Sequence, residues 1–184
     1  KNLGAPGEGG AITTNSLELA TKVRRLRAHG ESERYKSDVI GTNARMIEVV
    51  ASTLDLKLDY IERWTHQRRE HAGKYFQHLS GMSQIRLIEK QNDRESCYHL
   101  FVVHCDERDK LRDRLLKLGI NTGLHYPLPI HLQKAYEKLG YKRGAFPVAE
   151  LRAAQMISLP MFAELSSEQI NYVCNTLVST FDKD

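Results

Sequence analysis

The chain has 184 residues with a formal net charge of +4, 41% hydrophobic and 27% charged residues, enough apolar content for a packed core but room for only one domain or parts of two. No apolar run approaches the ~20 residues that span a bilayer, and no charged segment followed by an apolar core heads the chain as in a secretory signal, so membrane partnership is not expected. The basic clusters Lys22–Arg27 and Arg63–Arg69 are interspersed with Glu18, Glu62 and Glu70, which reads as solvated helix faces and excludes a nucleic-acid-binding stripe.

Residues 1–10, KNLGAPGEGG, carry five glycines and prolines and are read as a loop whose backbone approaches a neighbour closely. The β-branched run AITT at 11–14 is expected as a short strand. Asn15-Ser16 offers an N-cap, and Leu17, Leu19, Ala20, Val23 and Leu26 are expected as the apolar face of a helix stopped by Gly30. Residues 30–42 are polar without a period and read as surface loop.

From Ala44 to Leu79 apolar residues recur at spacings of three and four, which predicts a long connecting helix with a break near Asp55–Asp59. Strands are expected at Ile85–Ile88, Tyr98–His104 and Ile120–Leu124. Helices are expected at Glu107–Leu118, ended by Gly119, at Ile130–Leu139, and at Phe146–Gln155 with Pro147 in its first turn. Met156–Leu159 is short and apolar. Ser166 with Gln169 predicts a capping box opening a last helix that runs to Phe181. Strands alternating with helices after Gly81 indicate an α/β or α+β lobe.

Cys97, Cys105 and Cys174 are odd in number and widely spaced, which makes neither a disulfide framework nor a metal motif and fits a reducing cytoplasm. His66 and His71 are five apart, the wrong helical spacing for a shared metal, so no metal site is expected. The glycines at 4, 7, 9 and 10 are not a GxGxxG phosphate loop, because no strand precedes them and no helix follows directly.

Five ordered blocks, KNLGAPGEGGAITTN, RAHG at 27–30, GTNAR at 41–45, TGLHYPLPIHLQKAY at 122–136 and ISLPMFAELSSEQI at 157–170, together resemble the DegT/StrS sugar-nucleotide aminotransferases. These are pyridoxal-phosphate enzymes of fold type I, and the resemblance covers essentially the whole chain. It implies that the chain is the C-terminal half of such an enzyme. Residues 1–80 would then be the end of the large cofactor-binding domain with its connecting helix, and residues 81–184 the small α/β domain.

The resemblance further implies that Lys1 holds pyridoxal 5'-phosphate covalently and serves as general acid/base, work that calls for a desolvated amine. It places Asn43 on the cofactor phosphate across a homodimer interface, near a helix start whose dipole favours the anion. His125 and Tyr126 are placed at the bound sugar nucleotide, and Tyr35 in a loop that also approaches the substrate. Val50-Ala51-Ser52 stands where family members carry a glutamine in a QAA run, so that contact is not expected here.

The implied reaction moves an amino group from glutamate or glutamine to a keto-sugar nucleotide, with little activity expected of the 184 residues alone. A non-catalytic regulatory or ligand-sensing relative of the same fold is the rival reading. Lys1 argues against it, as it does against dehydrating relatives, which replace the lysine with histidine.

Overall fold

A computed structural model describes residues 1–181. The chain divides into two compact units, one formed by Lys1 and Leu3–Ile61, the other by Asn2 and the residues from Glu62 onward. The fold is mixed α/β, with six α-helices and five short strands among the described residues.

In the first unit the expected strand at 11–14 is absent. Ala11–Thr14 is irregular and exposed: β-branched residues favour strands only where a neighbouring strand completes the ladder. Helix α1 (Leu17–Leu26) starts where the cap predicts, with Ser16 Oγ accepting the Leu19 N–H at 3.2 Å. None of its residues is buried. The segment expected as plain loop holds a hairpin, β1 (Glu31–Glu33) paired antiparallel with β2 (Lys36–Ser37). The Tyr35 backbone turns it at φ 68°. Helix α2 runs from Glu48 to Leu58, four residues later than the expected start at Ala44.

Helix α3 (Ile61–Leu79) follows after a break at Asp59–Tyr60, close to the predicted bend. In the second unit it lies against a three-stranded antiparallel sheet of order β3–β4–β5 (Arg86–Leu87, Phe101–His104 and Met156–Leu159). Helix α4 (Arg108–Lys117) ends at Gly119, whose φ of 78° only glycine adopts freely. Helix α6 (Ser167–Phe181) opens with the predicted capping box: the Ser166 N–H donates to Gln169 Oε1 at 3.0 Å, and the Gln169 N–H to Ser166 Oγ at 3.2 Å. It buries Ile170, Val173, Cys174 and Leu177, the i, i+3, i+4, i+7 face.

The core of this unit joins those residues to Tyr75, Leu79, Phe101, Val103, Leu111, Leu115, Ile157 and Leu159. Side-chain bonds to backbone fasten α3 to the loop after β5: Arg68 Nη1 donates to the Met161 carbonyl at 2.9 Å and His71 Nε2 lies 2.9 Å from the Ala163 carbonyl. Two expectations differ here. Ile120–Leu124 makes one bridge, Gly123 to Ser158, rather than a strand. The helix expected at 130–139 is two 3-10 turns, Ile130–Leu132 and Lys134–Leu139, because Gln133 between them is extended at ψ 136°. Helix α5 (Pro147–Gln155) has its proline at the helix start, as predicted.

His104 closes β4 in a buried position. Burial, and then the positive charge of Arg152, push its imidazole below the usual histidine range. The folded state therefore holds it neutral, while the unfolded chain takes up a proton near pH ~6.5. Stability from this residue is complete above that pH and is lost as the pH falls through the lowered folded value. Urea midpoints measured from pH 7.5 down to 5 are expected to drop for the native chain and to drop less for His104→Gln.

Candidate active site

The five residues singled out for chemistry divide between the units, with Lys1, Tyr35 and Asn43 in the first and His125 and Tyr126 in the second. Lys1 is exposed at the head of the glycine loop. That loop is held to α2 and the residues just before it from within its own unit: Lys57 Nζ donates to the Gly4 carbonyl, and a Cβ on Gly9 would come within 3.2 Å of the Met46 methyl. Gly4 and Gly7 take φ of 65° and 114°, values that let the loop turn without a side chain's strain. Among the described residues no hydrogen bond or ion pair engages the Lys1 side chain.

Tyr35 and Asn43 belong to one closed loop. An Ala28–Asn43 bridge fastens its ends, with His29 N–H donating to the Thr42 carbonyl at 3.0 Å and Ala44 N–H to the Arg27 carbonyl at 2.9 Å. At its neck Gly30 crosses Gly41 so closely that a Cβ on Gly41 would fall 2.2 Å from the Gly30 nitrogen. Only two glycines allow that crossing, which sets where Tyr35 and Asn43 stand. Tyr35 is exposed at the hairpin turn, with the Arg34 guanidinium 4.9 Å from its ring centre. Asn43 is exposed, and its Oδ1 accepts from Arg45 Nε at 3.0 Å. That bond uses the amide's acceptor and leaves its NH₂ donors, together with the remaining Arg45 N–H groups, for an anion.

His125 and Tyr126 follow the Gly123–Ser158 bridge, joined by a cis peptide bond. The His125 ring is half-buried, with Nδ1 2.9 Å from Ser158 Oγ, and meets the exposed Tyr126 ring edge-on at 5.6 Å. Tyr126 borders a cleft of about 600 Å³ lined by Leu128, His131, Tyr141, Phe146 and Arg152. His131 is fixed in the wall of that cleft by Glu150 Oε1 at 2.9 Å, a contact that makes it part of the packing there. Sequence reasoning missed Gly123 and Ser158 as the surroundings of His125. Each lies inside one of the five blocks that carried the resemblance, but nothing local shows that residues 33 apart meet.

A pyridoxal phosphate group fits what these residues present. It needs an unengaged lysine amine for its aldehyde and neutral or cationic N–H donors for its phosphate, which are the chemistries of Lys1 and of Asn43 with Arg45.

The DegT/DnrJ/EryC1/StrS aminotransferase family matches residues 1–178. A "Pleiotropic regulatory protein" of Geobacillus stearothermophilus is 42% identical over 183 residues, 98% of this chain and 49% of the relative. The "dTDP-3-amino-3,4,6-trideoxy-alpha-D-glucose transaminase" of Streptomyces venezuelae is 38% identical, over 92% of this chain and 45% of the relative. The crystal structure of S. venezuelae DesV in complex with a ketimine intermediate superposes with a TM-score of 0.95 at 37% identity, over 98% of this chain and 48% of that one. A DegT DnrJ EryC1 StrS aminotransferase from Brucella abortus gives 0.90 at 30% identity, with the same coverage. The chain spans about half the length of the curated relatives it matches.

Proposed function

The chain belongs to the DegT/DnrJ/EryC1/StrS aminotransferase family, and on that premise we propose that the protein transfers an amino group from glutamate or glutamine to a keto-sugar nucleotide with pyridoxal 5'-phosphate. The observation that carries this reading is Lys1, a lysine with no described partner at the head of the glycine loop, in a chain that the family matches from its first residue. Pyridoxal phosphate supplies an electron sink that makes the α-proton of an amino acid acidic. Lys1 would hold the cofactor through Nζ. With the cofactor and an amino donor bound, Nζ would be free to take the proton from the donor α-carbon and later to deliver one to the sugar carbon that receives nitrogen. Asn43 and Arg45 donate to the phosphate, while His125, Tyr126 and Tyr35 contact the sugar nucleotide.

In this proposal residues 1–80 close a large cofactor-binding domain, α3 serves as the connecting helix, and residues 81–184 form the small domain. The docking of Tyr75 and Leu79 of α3 into the core beneath the sheet suits a connecting helix. The protein works as a homodimer with shared sites, a reading favoured by α1, whose Leu17, Leu19 and Leu26 remain exposed. Its three free cysteines suit the cytoplasm.

Two relatives bear regulatory names, the pleiotropic regulatory protein and the "Erythromycin biosynthesis sensory transduction protein EryC1", at 42% identity each. They favour a second reading, a ligand sensor on the same fold. Incubating the whole-length protein with glutamate, pyridoxal phosphate and dTDP- or UDP-linked keto-sugars separates the two. Catalytic release of 2-oxoglutarate with formation of an amino sugar is expected. Tight binding of the nucleotide without turnover, over a panel of keto-sugars, would move the assignment to the sensor.

A further inference from the structure

The imidazole of His125 sits in a seat built by two residues that no motif marks. Ser158 is buried on β5, where its backbone is held on both sides. It stands opposite Val102 of β4, and it exchanges both backbone bonds with Gly123, N–H to carbonyl at 3.0 Å one way and 2.8 Å the other. The hydroxyl therefore projects from a fixed point, and Nδ1 of His125 meets it at 2.9 Å. Gly123 forms the floor. A Cβ there would lie 2.3 Å from Cε1 and 3.0 Å from Nδ1 of the His125 ring, so the ring rests directly on the glycine backbone.

Accounting for the polar hydrogens assigns the tautomer. Among the described residues Ser158 Oγ makes no other hydrogen bond. If Nδ1 carried the proton and donated to Oγ, the buried serine O–H would have no acceptor, a loss of ~1–3 kcal/mol. If the serine O–H donates to Nδ1, both groups are satisfied and the proton of the neutral ring sits on Nε2.

We propose that Ser158, with Gly123 as its floor, is a positioning residue for His125 that holds the imidazole in the Nε2–H tautomer, so that His125 meets the substrate as a hydrogen-bond donor. The ring nitrogen left outside the seat then donates to an oxygen, of a sugar hydroxyl, keto group or phosphate, and does not accept from one. The substrate half of this proposal rests on the aminotransferase reading above; the seat does not.

Long-range ¹H–¹⁵N correlation of the histidine rings in the whole-length protein, with His125 assigned by the signal lost in His125→Gln, reads the tautomer directly. The pattern of an Nε2–H ring is expected; an Nδ1–H pattern would overturn the seat, whatever any variant does. Ser158→Ala is expected to give a mixture of tautomers, and Gly123→Ala the same mixture with the serine still present, because the added methyl displaces the ring. An unchanged Nε2–H pattern in both would also overturn it.

In the whole-length protein Ser158→Ala is expected to lower kcat/KM about tenfold, the worth of one net hydrogen bond, and to cost nothing further when His125 is already alanine. Equal losses in both backgrounds would show that Ser158 acts on stability alone and would overturn its positioning role. Should His125→Ala leave kcat/KM unchanged while the Nε2–H pattern holds, the substrate contact fails and the seat stands.

Discussion

Replacing Lys1 with alanine in the whole-length protein is expected to abolish measurable amino transfer. The proposed mechanism asks two things of this side chain. It must hold the cofactor, and it must move the proton at the donor α-carbon, and the second alone contributes about 10²–10⁴-fold in rate. Alanine does neither. Lys1→Arg is the informative control, since it keeps the positive charge but is always protonated and cannot serve as a base. Both variants are expected to retain the fold, because Lys1 is exposed and makes no described hydrogen bond. Steady-state rates with glutamate, alongside circular dichroism, check this. Activity within tenfold of the native protein in either variant would remove Lys1 from the chemistry.

The largest loss of stability is expected at Tyr75. Its side chain is fully buried at the centre of the second unit, its ring stacks on Phe101 with centroids 4.8 Å apart, and its hydroxyl donates to the Pro160 carbonyl at 2.9 Å. Burial pushes its phenol well above the ordinary tyrosine value, so the group stays a neutral donor throughout the usual pH range. Tyr75→Ala removes an aromatic ring from a packed core and is expected to cost about 3–5 kcal/mol. Tyr75→Phe keeps the ring and loses one hydrogen bond, for about 1 kcal/mol. Urea unfolding followed by the fluorescence of Trp64, the single tryptophan and a residue of α3, measures both. Near-equal effects would show that the hydroxyl bond, not the ring, anchors α3.

The elements that read well from the sequence are those whose causes are local. Ser16 caps α1 and Ser166 pairs with Gln169 at the start of α6, because each bond joins residues three apart. Gly119 ends α4 because the left-handed backbone that follows needs a residue without a Cβ. The elements that did not read well depend on partners distant in sequence. Ala11–Thr14 has strand-forming residues but no ladder, and Ile120–Leu124 makes a single bridge. The β1–β2 hairpin carries no apolar alternation to betray it. It forms because the Gly30–Gly41 crossing and the positive φ of Tyr35 close the backbone.

The site divides the same way. His125 and Tyr126 stood out because His-Tyr-Pro is a compact motif. The Ser158 hydroxyl beneath His125 comes from a strand that looks like ordinary core, between Ile157 and Leu159. Its role arises only when β5 bridges Gly123, and alternation along the strand turns the serine away from its apolar neighbours.

Borohydride reduction of the whole-length protein in the presence of pyridoxal phosphate, followed by peptide mass spectrometry, shows whether Lys1 carries the cofactor. One pyridoxyl adduct is expected, on Lys1 Nζ, that disappears when glutamate is added before the reductant. An adduct on a different lysine, or none at all, would take the cofactor away from Lys1.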